Sequence, residues 1–273
     1  MSKQRKLFCE LCPLAFELSR QKEIVKRHVK NAFRHFASAK SEALLPVVVY
    51  EHSCDMIKRG PGIDAELQHN KADNIRLACS RIDGVVIRPG ETFSFWHLVG
   101  KTSKRNGFAE GRVLVNGQLV AGVGGGLCNL AHTLCLLMLH SPAAIAELHH
   151  HSDALAPDPN GVRVPYSSGT SVNYNYLDLR FVNPTSQPMQ LHTWCEGDIL
   201  MAELRTTEEF PYTYEITEED HHFSQEANGK YYCISRIYRE TYDKKTRELI
   251  NRELVRNNHS EVMYDYDLIP NNK

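Results

Sequence analysis

The first clear hydrophobic pattern lies near the start of the chain. Apolar residues recur there at helical spacing from Leu14 to about Lys40, and lysines occupy another face of the same segment. This pattern predicts a long amphipathic helix. Its basic face is expected to be solvated, with peripheral contact to an anionic membrane surface as the weaker alternative.

Shorter runs follow the predicted helix. A strand is predicted at 45–54 and a helix at 72–82, followed by two short strands around a tight turn at Pro89 and Gly90. An Asn116-Gly117 pair between β-branched runs predicts a hairpin at 112–120, because both residues of that pair tolerate the positive φ that tight hairpins need. Helical and strand patterns therefore alternate in this part of the chain.

An almost wholly apolar helix is predicted at 127–140, followed by strands at 144–151, 176–183 and 189–195. From about residue 212 the pattern changes to strand runs without a helical period. We predict an α+β fold with an N-terminal amphipathic helix, a central mixed sheet packed on the 127–140 helix, and a β-rich C-terminal portion. The corresponding segments are 1–44, 45–205 and 206–273.

Composition and charge narrow the class of protein. The chain has 273 residues, of which 42% are hydrophobic and 24% charged, as in ordinary folded domains. A formal net charge of −1 argues against bulk capture of nucleic acid. No apolar stretch is long enough to span a bilayer, and the N-terminus lacks the apolar core of a signal peptide. We therefore expect a cytoplasmic chain whose eight cysteines remain thiols.

The strongest candidate for chemistry is the entry to the 127–140 helix. Three consecutive glycines, Gly124, Gly125 and Gly126, precede it, and Cys128 lies in its first turn. Glycines let backbone N–H groups point into a site, where they could form an oxyanion hole. The positive end of the helix dipole favours a thiolate. Cys128 is therefore a candidate nucleophile.

A thiolate nucleophile needs a base and an orienting group. His149 and His151 share one face if their segment is extended. Asp178 in the following strand, Asp153 and Asp158 are the available carboxylates, and Asp178 is included in the predicted site. The order cysteine, histidine, acid is that of papain-like and transglutaminase-like enzymes. This layout is consistent with a cysteine-dependent hydrolase or acyltransferase. The alternative is that Cys128 is only a small apolar wall residue.

Two further hypotheses concern the surroundings of Cys128. The predicted pocket lining comprises the three glycines and three polar residues, namely Asn129, Ser168 and Thr170. Cys128, His132 and Cys135 follow one another at i, i+4 and i+7, so they share a helical face and form a weaker alternative as zinc ligands. No other metal and no cofactor is predicted.

Several segments together carry a resemblance to a known family: PGETFSFWHLVGKTSKRNGF, VNGQLVAGVGGGLCNL, LHHHSDALAPDP and NYLDLRFVN resemble the VanW family, as does the N-terminal FCELCPLAFELSRQKEIVKRH. The resemblance spans nearly the whole chain. It implies an association with glycopeptide (vancomycin) resistance, but it implies no defined reaction. Cell-wall peptides or glycopeptides are the ligands that this association suggests.

The chain departs from the family pattern at two places. Asn129 stands where many members have glutamine, and Ser168, Gly169 and Thr170 replace an Arg-Asp-Ala sequence found in other members. An acid is therefore missing before the 176–183 strand, and Asp178 would have to serve. We expect either thiol-based acyl-transfer or amide chemistry at Cys128, or a non-catalytic pocket that binds a ligand or partner.

Overall fold

Helices and strands are interspersed in the first three quarters of the chain, and long strands dominate the rest. The computed structural model describes residues 11–59, 63–115, 118–155, 157–158, 162–166 and 169–270. Within these residues lie four α-helices: α1 (Pro13–Asn31), α2 (Ala65–Ile82), α3 (Phe95–Val99) and α4 (Leu127–Leu139). The strands are β1 (Val47–Asp55), β2 (Val86–Ile87), β3 (Thr92–Ser94), β4 (Glu110–Val115), β5 (Gln118–Val123), β6 (Ala144–Glu147), β7 (Asp153–Ala154), β8 (Arg180–Val182), β9 (Met189–Glu196), β10 (Ile199–Thr206), β11 (Tyr212–Gln225), β12 (Tyr231–Asp243) and β13 (Leu249–Val262). The predicted α+β class is confirmed.

The strands pair into four sheets within the described residues. Their orders are β1-β10-β9-β2, β11-β12-β13-β7 and β3-β8-β6, with β4-β5 as a separate hairpin. The first of these sheets was predicted to be mixed, but each of its pairs is antiparallel. The reason is local: only Gly197 and Asp198 separate β9 from β10, and a connection that short can join antiparallel strands only.

The core lies between this first sheet and two helices. α2 packs against β9, and α4 packs against β1 and β10. Because α4 is apolar on almost all sides, it buries leucines such as Leu130, Leu134 and Leu137 completely. Burying each such side chain stabilises the fold by roughly 1.5–3 kcal/mol. Among the described helices, none combines the length and the apolarity that crossing a bilayer requires.

The C-terminal sheet consists mainly of three long antiparallel strands, β11 to β13, which confirms the predicted β-rich end of the chain. Arg239 on β12 connects this sheet to the rest of the molecule. Its guanidinium donates to the carbonyl of Ala143 at 2.7 Å and pairs with Glu253 at 2.6 Å. The short β7 follows His149, His150 and His151, hereafter the histidine cluster. It pairs in parallel with the end of β13.

Several predicted elements have different bounds in the structure, and the strand predicted at 176–183 spans only Arg180–Val182. The first helix ends at Asn31 rather than near Lys40, and its apolar residues Val25 and Val29 are each 60% exposed. The second begins at Ala65 rather than at residue 72, because the Asp64 carboxylate caps it by accepting from the Leu67 N–H at 3.0 Å. The strand predicted at 144–151 ends at Glu147. The β4-β5 hairpin is confirmed, although its turn at 116–117 lies outside the described residues.

Candidate functional site

The three-glycine turn Gly124–Gly126 joins β5 to α4. Gly126 has a φ of +100°, in the left-handed region that favours glycine. A Cβ atom on Gly126 would lie 2.2 Å from Cγ of Lys71, and one on Gly125 would lie 2.2 Å from the carbonyl carbon of Gly111. The turn therefore needs glycines so that α2 and β4 can approach its backbone closely.

Asn74 holds this turn in place. Its buried side-chain amide donates to the carbonyls of Ala109 and Gly125, both at 3.0 Å, and its oxygen accepts from the Ala109 N–H at 2.9 Å. Such a fully bonded buried amide ties α2, the start of β4 and the glycine turn into one unit. A polar residue between the core residues Ala72 and Ile75 is the sequence signal that could have identified it.

Cys128 lies in the first turn of α4, as predicted, and its side chain lines a cavity. The thiol Sγ donates to the carbonyl of Val172 at 3.7 Å. Burial raises the pKa of the Cys128 thiol, while backbone hydrogen bonds at Val172 and Cys128 and the charge of Lys71 lower that pKa by less. Burial thus outweighs the helix-end effect that sequence reasoning invoked, and the neutral thiol is favoured.

The histidine cluster follows β6 in an irregular segment, so its side chains do not alternate as in a strand. His149 Nε2 lies 3.0 Å from a carboxylate oxygen of Glu147, and His150 Nδ1 lies 3.1 Å from the hydroxyl of Tyr166. Only His151 of the three lines the cavity with Cys128, and burial lowers its pKa. In the described part of the chain no hydrogen bond joins the Cys128 thiol to any of these histidines.

Asp178 is fully buried, and within the described residues its carboxylate bonds neither Cys128 nor the histidines at 149–151. Its carboxylate accepts from the Ser94 hydroxyl at 2.6 Å, the Trp96 N–H at 3.1 Å and the Arg180 guanidinium at 2.7 Å. Its own N–H donates to Glu147 at 3.0 Å. The structure therefore places Asp178 where it orients α3 and Trp96 rather than a histidine. Since Trp96 lines the Cys128 cavity, Asp178 can affect that cavity indirectly.

The cavity itself, hereafter the Cys128 pocket, has a volume of about 490 Å³. Its wall combines Gly124, Gly126 and Cys128 with two aromatic side chains, Trp96 and Tyr174, whereas Gly125, which was also predicted to line it, is not in the described lining. Lys58, Lys71, Arg112 and His151 also line it, and the described lining contains neither Asp nor Glu. A pocket with aromatic surface and one sign of charge is suited to binding an amphipathic anion.

The predicted polar lining divides into different environments. Asn129 lines the pocket, but its oxygen accepts from the Cys54 thiol at 3.0 Å and its amide donates to the Asp55 carbonyl at 3.2 Å, so it also ties α4 to β1. Thr170 is buried beside Tyr166, with 3.4 Å between their hydroxyls, and is not in the lining. Ser168 lies outside the described residues.

The weaker zinc hypothesis named Cys128, His132 and Cys135. The Cys135 thiol lies 3.4 Å from the Tyr166 hydroxyl, and the His132 ring stacks on the Tyr166 ring at 5.3 Å between centroids. Burial lowers the pKa of His132 to about 4, with smaller contributions from His52 and His151. In the described ranges no group of three histidine, cysteine or acidic side chains could hold a metal ion.

Lys71 and Arg112 were not identified from the sequence. The helical period predicted a helix that began at residue 72, immediately after Lys71, and Arg112 appeared as an ordinary polar position of the hairpin. Nothing in their local sequence indicates that α2 and β4 bring these cations to the same cavity. Their proximity depends on the close packing around Gly111 and Gly125.

Comparisons with known proteins give consistent results. A family model described as "VanW like protein" matches residues 70–205. The vancomycin B-type resistance protein VanW of Enterococcus faecalis (strain ATCC 700802 / V583) is 27% identical over 229 residues, covering 84% of this chain and 82% of that protein. YoaR of Bacillus subtilis (strain 168), described as uncharacterized, is 28% identical over 139 residues, covering 51% of this chain and 44% of that protein. No solved structure gives a significant match.

Proposed function

Because the chain belongs to the VanW-like family, we propose that it takes part in resistance to glycopeptide antibiotics by binding a cell-wall peptide in the Cys128 pocket. The name of the Enterococcus relative supports the link to vancomycin. The observation that carries the binding role is the pocket itself, since Lys71, Trp96 and Cys128 converge there from separate elements within the matched region.

Binding is favoured over catalysis by the state of the groups around the thiol. Cys128 is held as a neutral hydrogen-bond donor to Val172, and His149 is engaged with Glu147. The Asp178 carboxylate has four hydrogen-bond donors of its own among the described residues, and none of them is one of the three histidines. A nucleophile, a base and an orienting acid are therefore not assembled in the way that thiol catalysis needs.

A filled pocket tests this function. Ser171 is a small residue in the pocket lining, whereas Ser53 is exposed on β1, which makes Ser171→Trp and Ser53→Trp a matched pair. We expect soluble peptides released from bacterial cell wall to bind the wild-type protein and Ser53→Trp equally in isothermal titration calorimetry. Ser171→Trp should bind at least about tenfold more weakly, since its indole occupies the cavity. Equal binding by both variants, or none by the wild type, would refute the proposal.

A second candidate function is thiol-based acyl-transfer or amide chemistry. It is favoured by one observation, that Cys128 and His151 line the same cavity. In that reaction the thiol would lose its proton to His151 and its sulfur would attack the carbonyl carbon of an amide. His151 would then protonate the departing amine, and water would hydrolyse the resulting thioester.

The two functions differ in the reactivity of one thiol. We expect iodoacetamide to alkylate Cys128 of the folded protein slowly, with an apparent pKa at or above that of a free cysteine, about 8.5. Exposed Cys12, followed by mass spectrometry in the same sample, serves as the accessible reference thiol. His151→Gln should leave the Cys128 profile unchanged. An apparent pKa below about 7 that shifts in His151→Gln would instead establish the catalytic pair.

A further inference from the structure

Three cationic side chains reach the Cys128 pocket from three different elements. Lys71 lies on α2, Arg112 on β4, and Lys58 on the segment that follows β1. Within the described residues none of these three side chains has an ion-pair partner or a side-chain hydrogen bond, and no carboxylate lines the pocket. Positive charge is thus concentrated in a cavity without the anion that would balance it.

Lys71 is the most constrained of the three. Its aliphatic stem runs over Gly126, where an added Cβ would lie 2.2 Å from Cγ and 3.1 Å from Cβ of Lys71. Burial lowers the pKa of the Lys71 amine, and the nearby charges of Lys58 and Arg112 lower it further. A partly desolvated ammonium group beside two other cations destabilises the free protein unless an anion joins it.

Three arginines that are buried or partly buried in this protein are paired with carboxylates. Arg180 lies 2.7 Å from Asp178, Arg239 lies 2.6 Å from Glu253, and Arg163 lies 2.6 Å from Glu218. At each of these three arginines the fold supplies a carboxylate. At Lys71 it supplies none, and the pocket remains open toward that side chain.

Neutral groups around Lys71 complement the cations. The first turn of the 13-residue α4 begins at the glycine turn without a side-chain cap, and the positive end of its dipole adds to the local potential. Thr102 and Ser171 provide hydroxyl groups in the lining, and Trp96 and Tyr174 form an aromatic wall. The pocket thus offers a polar, positive part for an oxyanion and an aromatic part for the rest of the ligand.

We propose that the Cys128 pocket binds its ligand through a carboxylate or phosphate group, with Lys71 as the direct counter-ion and Arg112 and Lys58 contributing to the same positive site. This inference deepens the proposed function by naming the group of the ligand that is recognised. It also predicts an unusual property of the free protein, because removal of the Lys71 charge relieves an uncompensated desolvation cost. A lysine with a purely structural role would not combine that gain with a loss of anion binding.

The test uses the full chain and three probes in a buffer of low ionic strength. These probes are inorganic phosphate, an N-acetyl dipeptide with a free C-terminal carboxylate, and the same dipeptide as its C-terminal amide. We expect the Tm and calorimetric titration of the wild-type protein to respond to at least one of the two anions and not to the amide. Which anion binds distinguishes a phosphate from a carboxylate ligand.

Variants of Lys71 assign the site. Lys71→Met retains the apolar stem over Gly126 and should bind the anion about tenfold or more weakly, while its Tm without ligand is unchanged or higher. Lys71→Arg should retain most of the affinity, and Lys22→Met, which removes an exposed lysine on α1, should match the wild type.

Either of two results would overturn the inference: a wild-type protein that binds neither anion, or a Lys71→Met variant that binds as tightly as the wild type. Binding of cell-wall peptides that is blocked in Ser171→Trp would then still support the proposed function. Conversely, anion binding at Lys71 without binding of cell-wall peptides would support this inference and refute that function.

Discussion

Two regions of the molecule differ in whether their charged side chains have partners of opposite charge. One is the Cys128 pocket, and the other is the ion-pair network of Arg27, Glu147, Asp178 and Arg180. In the network every charge has a partner: Arg27 pairs with Glu147, Arg180 lies 2.7 Å from Asp178, and Glu147 and Arg180 are 3.6 Å apart. In the pocket, Lys71 and its cationic neighbours have no carboxylate beside them within the described residues. The network, whose charges are neutralised by one another, therefore has the character of a structural cluster. The pocket, whose cations have no described carboxylate beside them, has the character of a binding site.

The network also shows why Asp178 was a reasonable candidate from the sequence. Its carboxylate is buried among polar groups, as a catalytic acid often is, yet each oxygen is used to hold α3, β8 or Arg180 in place. A buried carboxylate with all its hydrogen bonds satisfied by the fold has a structural role. Among the described residues Lys71 has no such partner, which leaves it available to a ligand.

Removing one charge from the network should have the largest effect. Asp178→Asn keeps the shape of the side chain but leaves the buried Arg180 guanidinium without its closest anion. We expect the free energy of unfolding to fall by about 3–5 kcal/mol, as for other broken buried pairs, measured by urea denaturation. Glu23→Gln, which breaks an exposed pair with Lys26 on α1, is the matched control and should leave the free energy of unfolding nearly unchanged. A similar small loss in Asp178→Asn would show that the network is not structural.

Acid should remove the contributions of His132 and Glu147 to stability in two different pH ranges. His132, one turn beyond Cys128 on α4, has a pKa of about 4 because it is buried. Since that pKa lies below its unfolded value of about 6.5, the unfolded state takes up the proton first, and stability falls by roughly 3 kcal/mol as pH drops from 6.5 to 4. Burial raises the pKa of Glu147, but hydrogen bonds from His149, Arg27 and the Asp178 N–H outweigh it and give about 2, so its contribution is lost only between pH 4.5 and 2.

Urea titrations at pH 7, 6, 5 and 4 test this separation. His132→Leu removes an imidazole whose buried Nδ1 has no hydrogen-bond partner among the described residues, and it should reduce the loss of stability between pH 6.5 and 4. His69→Leu, which removes an imidazole at an exposed position on α2, is the matched control substitution. Identical slopes in the wild type and His132→Leu would contradict the assignment.

The sequence predicts local elements, such as a helix or a hairpin, better than it predicts which distant residues come together in the fold. Hydrophobic period identified α4, and the Asn116-Gly117 pair identified the β4-β5 hairpin, because both signals act over a few neighbouring residues. The end of α1 was missed since apolar residues continue to Phe36 after the helix has stopped. His151 was predicted to lie on one face of a strand, but the strand ends at Glu147. His151 nevertheless lines the pocket.

The cluster of positive charges in the pocket could not be predicted from any single segment of the sequence. Lys58, Lys71 and Arg112 are separated by more than ten residues each and appear in the sequence as ordinary surface cations. The glycine turn was identified from the sequence, but the predicted role of its glycines was to expose backbone amides beside a thiolate at Cys128. In the structure the absence of side chains at Gly125 and Gly126 instead makes room for β4 and for the Lys71 stem. That role depends on tertiary packing, which local spacing does not encode.

Gly126→Ala provides the smallest and most specific of the expected effects on stability. The substitution combines a positive φ of +100° with a clash against the Lys71 stem, whereas Gly90→Ala, at a φ of +78°, meets no atom within 4 Å. We expect Gly126→Ala to lower the free energy of unfolding by about 1–3 kcal/mol and Gly90→Ala by about 1 kcal/mol, since the control has only the backbone strain. In a Lys71→Ala background, which removes the clashing Cγ, the cost at Gly126 should fall to that of the control. If the cost of Gly126→Ala is the same in both backgrounds, the Lys71 stem is not held by this turn.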